Sequence, residues 1–155
     1  FSLTPDYLHT PEAGQVQNLM DTGVQLGRRF RALKLWAVIR YFGSDGLRKR
    51  IAEHMRLAQI FAAWVDESSY FERAAPVPLS VVCFRARGSS NDSDTDDLNM
   101  RLLTRVNSSG EVFLSHTRLN GRYTIRLAIG HVRTTDAHVR RAWELLNDAR
   151  RELVA

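Results

Sequence analysis

This sequence has one cysteine, two lysines and no long apolar run, and each shortage removes a class of protein. The lone thiol, Cys83, cannot build an internal disulfide framework and suits a reducing compartment. No apolar stretch approaches the roughly twenty residues that span a bilayer, and no charged-then-apolar leader opens the chain. The expectation is a soluble, cytoplasmic protein with no membrane partner. Lysine occurs only at Lys34 and Lys49, so the formal net charge of +5 rests on arginine. Carboxylates are interspersed with those arginines along most of the chain. Nucleic-acid binders concentrate cations without such compensation, so no nucleic-acid partner is expected.

Catalytic signatures are equally scarce. There is no glycine-rich phosphate loop and no Gly-x-Ser-x-Gly elbow. His9, His54, His116, His131 and His138 fall on different elements, and no pair has metal-site spacing on one face, so no metal is expected. The aspartates of residues 88–97 lack the glycine turn and terminal glutamate of an EF-hand, and suit a solvated loop with a helix cap. Cys83 lies amid an apolar run and suits a small core position.

What is present is enough for a folded domain. A chain of 155 residues buries roughly two-thirds of its unfolded surface and needs no metal or disulfide staple. Residues 1–26 show no sustained period, contain Pro5, Pro11, Gly14 and Gly23, and read as a mobile lid-like segment. From 27 to 41, Phe30, Leu33, Trp36, Val38 and Ile39 predict a helix stopped near Gly43. Ser44 or Asp45 can cap a second helix, whose stripe is Leu47, Ile51, Met55, Ala58, Ala62 and Val65.

After Tyr70 the pattern changes to strands at 71–75 and 79–86, separated by Pro76 and Pro78. A helix from Thr95 or Asp96 carries Leu98, Leu102 and Val106 and ends at Gly110. Strands at 111–116 and 122–129 meet through Asn120-Gly121, a tight-turn pair. A last helix from Thr134 or Thr135 shows Val139, Trp143, Leu146 and Leu153 on one face. The order helix, helix, β-β-α-β-β-α predicts an α+β fold: an antiparallel sheet with helices on one side.

Two polar features stand out. Period-two alternation in residues 123–129 puts Thr124 and Arg126 on one strand face, where an arginine needs an anion. That anion is a bound carboxylate or an internal salt-bridge partner. On a helix, Arg28, Arg31 and Lys34 form a basic stripe opposite Phe30, Leu33 and Trp36, which are expected to be buried.

Leu26-Gly-Arg-Arg-Phe-Arg-Ala-Leu-Lys-Leu-Trp36, Tyr41-Phe-Gly43, Val82-Cys-Phe-Arg85, Ser115-His-Thr-Arg-Leu-Asn-Gly121, Tyr123-Thr-Ile-Arg-Leu-Ala-Ile-Gly130 and His138-Val-Arg-Arg-Ala-Trp143 together resemble one family. It is the group II pyridoxal-phosphate decarboxylases, in the aromatic-L-amino-acid branch. The resemblance implies the C-terminal small domain of a fold-type I enzyme. Residues 1–26 would be the catalytic loop, 27–68 connecting helices and 69–155 the small α+β domain. The large cofactor-binding domain would lie outside this chain, together with its cofactor lysine in an Asn-x-x-His-Lys-Trp type motif. Neither Lys34 nor Lys49 sits in such a motif.

The resemblance also assigns roles. Tyr7 matches the loop tyrosine that returns a proton after carbon dioxide leaves, and related aldehyde synthases usually carry phenylalanine there. Arg126 matches an arginine associated with the substrate carboxylate or the closed loop. Gly27, with Leu26, matches the segment that reaches the neighbouring subunit's active site, near the cofactor phosphate and the substrate ring. The implied protein is a homodimer that uses pyridoxal 5'-phosphate to convert aromatic L-amino acids to amines and carbon dioxide. It would be active only with its N-terminal part. The alternatives are an aldehyde synthase and a non-catalytic dimerisation or regulatory domain. Asp21-Thr-Gly-Val-Gln25 departs from the family's common Trp-Gln pair, which bears on loop closure and substrate preference. A start inside an exposed loop is what a proteolytic cut there would leave, among other origins, with residues 1–155 still docked on the N-terminal part.

Overall fold

The computed structural model describes residues 31–88 and 92–154. In chain order they form α1 (Arg31–Glu67), β1 (Phe71–Arg73), β2 (Val81–Ala86), α2 (Asp92–Asn107), β3 (Ser115–Leu119), β4 (Arg122–Ala128) and α3 (Asp136–Val154). Two compact units divide after Lys49. Tyr7, Leu26, Gly27, Arg28 and Phe30, singled out from the sequence, lie outside the described residues.

In the first unit, α1 is interrupted at Gly43, whose φ of 65° and ψ of 175° leave the helical region. The glycine does what the sequence pattern asked of it, since a side chain is strained at that φ. Leu33 and Trp36 were expected to be buried, yet they are 57% and 60% exposed, and Val38 and Ile39 are exposed as well. The reason lies in the sequence. Leu35 and Tyr41 are also exposed, so apolar residues run all round this helix and no single stripe exists to bury.

The second unit is organised by a hairpin. Asn120 (φ 52°) and Gly121 (φ 78°) both occupy the left-handed region, as a two-residue turn between right-twisted strands requires. Leu119 therefore pairs with Arg122 and His116 with Ile125. β2 adds to β4 with Phe84 opposite Ile125, and β1 adds to β2 with Phe71 opposite Ala86. The sheet is antiparallel throughout, in the order β1-β2-β4-β3. Phe71, Val82, Phe84, Ile125 and Leu127 share one face and are buried. Against them pack Leu57, Phe61 and Val65 of α1, Leu102 and Val106 of α2, and Val139 and Leu146 of α3. The Phe61 ring meets Phe84 at 5.2 Å and Trp143 at 5.6 Å. The α+β architecture expected from the sequence is the one observed.

The α1 stripe holds from Met55 onward, but Ile51 is 56% exposed, because the rings that receive the helix, Phe84 and Trp143, meet it further on, at Phe61 and Trp64. Two other boundaries move for a clearer reason. α2 begins at Asp92, not at Thr95, so Thr95 and Asp96 lie inside the helix and Asp94 and Asp96 lie near its positive end. The strand expected at 111–116 starts only at Ser115, because Asn107 takes the Leu114 backbone. Leu114 N–H donates to Asn107 Oδ1 at 2.8 Å, and Asn107 Nδ2 donates to Leu114 C=O at 2.9 Å.

Asn99, fully buried on the same helix, repeats that exchange with Ala86. Ala86 N–H donates to its Oδ1 at 2.7 Å, and its Nδ2 donates to Ala86 C=O at 3.1 Å and Thr95 C=O at 2.7 Å. The β2–β4 register runs no further than Phe84–Ile125, so the amide of Asn99 continues the ladder from the helix. Asn99→Ala leaves a buried N–H and C=O unmade and should cost about 3 kcal/mol. Asn107→Ala, at a half-buried site, should cost about 1 kcal/mol. Urea unfolding followed by far-ultraviolet ellipticity compares the two; equal losses would contradict the burial argument.

Candidate functional site

With the helices gathered on one face, the other face of the sheet carries the polar residues. Alternation puts Glu72 of β1, Cys83 and Arg85 of β2, Thr124 and Arg126 of β4, and Ser115 and Thr117 of β3 there. Arg126, the strand arginine picked out from the sequence, lies between Cys83 on one side and Ser115 on the other, and is half-buried. Cys83 was expected in the core, yet alternation from Val82 and Phe84 turns it to this face, where it is also half-buried. Burial pushes its thiol pKa up, and the adjacent Arg126 guanidinium draws it back part of the way by charge and hydrogen bonding.

Beside this row lies an ionic network that sequence reading missed. Asp96 Oδ1 accepts from Tyr123 N–H at 2.9 Å and from Arg85 Nη2 at 3.1 Å, while Oδ2 accepts from Arg118 Nη1 at 3.3 Å. Glu72 approaches Arg122 at 3.3 Å and Arg87 at 3.4 Å. Arg85 is 1% exposed, the largest fully buried side chain described. Its sequence signals are its place in the Val82-Cys-Phe-Arg85 motif and its position two residues after Cys83 on the same strand face, and neither shows its burial. Asp96 sat in a run that looked like a solvated loop. Tyr123, stacked on His116 at 4.8 Å, has its hydroxyl pKa pushed up to about 12, chiefly by burial.

A polar, partly buried sheet face centred on an arginine is suited to holding a carboxylate in place. The family model of the pyridoxal-dependent decarboxylase conserved domain matches residues 1–87, more than half of the sequence. The chain belongs to this family. It is 41% identical to tyrosine decarboxylase 2 of Narcissus pseudonarcissus, over 99% of this chain and 31% of that protein. It is 38% identical to phenylacetaldehyde synthase of Arabidopsis thaliana, over 95% of this chain and 31% of that protein. The crystal structure of Oryza sativa TDC with PLP and tryptamine covers 92% of this chain with a TM-score of 0.76 and 35% identity. There too the likeness takes in 31% of the solved chain. The chain thus spans about a third of the length of the relatives it matches, and its fold is a fragment of theirs.

The pairing of Cys83 with Arg126 has a measurable consequence. Cys83 should be alkylated by iodoacetamide with a half-maximal rate at a pH above that of a free cysteine, because its thiol ionises late. Arg126→Met removes the charge that favours the thiolate, so the midpoint should move still higher. A midpoint that falls on this substitution would contradict the arrangement.

Proposed function

We propose that this chain is part of a pyridoxal-phosphate-dependent decarboxylase that converts aromatic L-amino acids to amines and carbon dioxide. The observation that carries the reading is the whole-chain likeness: one uninterrupted order of elements and motifs, 35% identical to Oryza sativa TDC across 92% of this chain. The described residues do not make a cofactor site by themselves. The sequence's only lysines are Lys34 and Lys49, both exposed and both before the sheet. The cofactor is therefore assigned to the part of the enzyme outside this chain. When bound there, it supplies the conjugated ring that accepts the electron pair left as carbon dioxide departs.

The residues of this chain bind, orient and protonate. Arg126 is assigned the holding of a carboxylate, a task for which a planar guanidinium fixes the direction of the group as well as its charge. Its neighbours Cys83 and Ser115 are small, which leaves room above the sheet for an approaching ligand or loop. Tyr7 is assigned delivery of a proton to the substrate α-carbon, a task a phenol performs when a closed loop excludes water. Leu26 and Gly27 are assigned to the neighbouring subunit's site, the glycine leaving space for a bulky ring. The assembly is a homodimer of the whole enzyme in the cytoplasm. Among the described residues no helix is long and apolar enough to cross a membrane.

A second reading, an aldehyde synthase, is favoured by the likeness to phenylacetaldehyde synthase. Tyr7 weighs against it, since the aldehyde-forming relatives usually have phenylalanine at this place. In the whole enzyme, Tyr7→Phe should lower amine output by about a hundredfold or more, as expected for loss of a positioned general acid, and divert product to aldehyde, ammonia and hydrogen peroxide, with dissolved dioxygen as the two-electron oxidant. Amine output unaffected by this change would remove the role.

The broader reading is tested by denaturing intact-mass analysis after borohydride reduction. A second polypeptide carrying a reduced pyridoxyl adduct, with amine formed from tyrosine or tryptophan, is the expected result. A single species of 155 residues without adduct, inactive on both amino acids, would overturn it.

A further inference from the structure

Arg85 is gripped on one side only. Its Nη2 donates to Asp96 Oδ1 at 3.1 Å, but its buried Nε and Nη1 have no hydrogen-bond acceptor among the described residues. Glu72 Oε1 stands 4.0 Å from Nε, beyond hydrogen-bond reach. The side chain is 1% exposed and a guanidinium does not give up its proton, so two charged donors stay unmet where that is costly. We propose that these donors anchor an interface: the polar face of the sheet packs against the N-terminal part of the enzyme, outside this chain, and an aspartate or glutamate of that part enters beside Arg85. Such an interface rests on the decarboxylase reading, which places a further part of the enzyme there.

The donors themselves select a protein segment over a small ion. Nε–H and Nη1–H lie on different edges of the planar fork, so one compact anion does not meet both. A segment does, by bringing a carboxylate together with backbone carbonyls of its own. The surroundings leave room for it. A cavity of about 180 Å³ opens beside Arg85, with Glu72, Asn120, Arg122 and Thr124 on its walls. On the same face Cys83, Thr124, Ser115 and Thr117 are short, so a second surface can approach the strands closely. The opposite face is already covered by α1, α2 and α3. The polar face is therefore the one left for the rest of the enzyme, and the chain spans only about a third of the length of the relatives it matches.

Glu72, opposite Arg85 across the β1–β2 pair and partly exposed, is the place for a probe. In the whole enzyme Glu72 is replaced by photo-reactive benzoylphenylalanine, the protein is irradiated, and the cross-linked peptide is identified by mass spectrometry. The expected partner is a peptide of the N-terminal part that contains an aspartate or glutamate. Each carboxylate of that peptide is then changed to its amide, alone and together with Arg85→Met, and the melting temperatures are compared. One amide change and Arg85→Met should each lower the melting temperature, and the two together should lower it no further than either alone, as for groups that act on each other. Where Arg85→Met does not assemble, Arg85→Lys, which keeps the charge and loses the fork, takes its place in the same comparison.

A cross-link to residues 1–30, a cross-link to a second copy of residues 31–155, or no cross-link would overturn the proposal. So would additive losses for every carboxylate tried, the result expected if Arg85 were met by water. An enzyme that forms amine yet gives any of these results leaves the decarboxylase reading standing and removes the interface alone. A 155-residue chain that occurs without an N-terminal part removes both.

Discussion

The second unit depends on a substitution of one kind of amide for another. Where β2 runs out of strand partner, the side chain of Asn99 presents a carbonyl and an N–H to Ala86 as a neighbouring strand would. Eight residues on, Asn107 does the same for Leu114 just before β3 begins. A primary amide carries an acceptor oxygen and a donor nitrogen on one carbon, so it can stand in for a peptide group. α2 is thereby tied at two points, through backbone groups that would otherwise be buried and unpaired. Gly88 serves the same junction: a Cβ there would lie 2.5 Å from Thr95 Oγ1 and 3.1 Å from Thr95 Cα, so only glycine lets the chain pass the helix.

Once α2 is fixed, Asp96 is fixed with it, and the polar face inherits its order from the helix. Asp96 reaches the Tyr123 N–H, Arg85 and Arg118 because the turn that carries it is locked by Asn99 three residues later. The two faces of the sheet are therefore not independent. The apolar face sets where α2 lies, and α2 delivers the carboxylate that engages Arg85 of the other face. Arg126 and Cys83 stand on the strands this arrangement aligns, a rigid footing for a residue asked to orient a carboxylate.

What could be read in the sequence followed from local physics. Asn120-Gly121 announced a hairpin because almost nothing else accepts two successive left-handed residues, and the α1 stripe from Met55 to Val65 announced a helix by spacing. Arg126 was visible because alternation in a short strand assigns faces without any tertiary information. Asn99 and Asp96 were not visible, because asparagine and aspartate in a serine-rich run carry the same local signal whether they face water or another element's backbone. The exposure of Leu33 and Trp36 escaped for the opposite reason: an apolar residue in a helical pattern says that a partner is wanted, not where the partner is. The family resemblance reached further than either, since it drew on motif order across nearly the whole chain.

The aromatic chain at the base of the core has an optical consequence. Trp64 and Trp143 stand 6.2 Å apart at an interplanar angle of 37°, with Phe61 and Phe71 edging onto the same cluster. Two indoles so close and so tilted share their electronic excitation, which gives the folded second unit a paired circular-dichroism band that no isolated tryptophan produces. The third tryptophan, Trp36, is exposed in the first unit and emits as a solvated fluorophore. The molecule thus carries two spectroscopically distinct reporters, one for each unit, without any label being added.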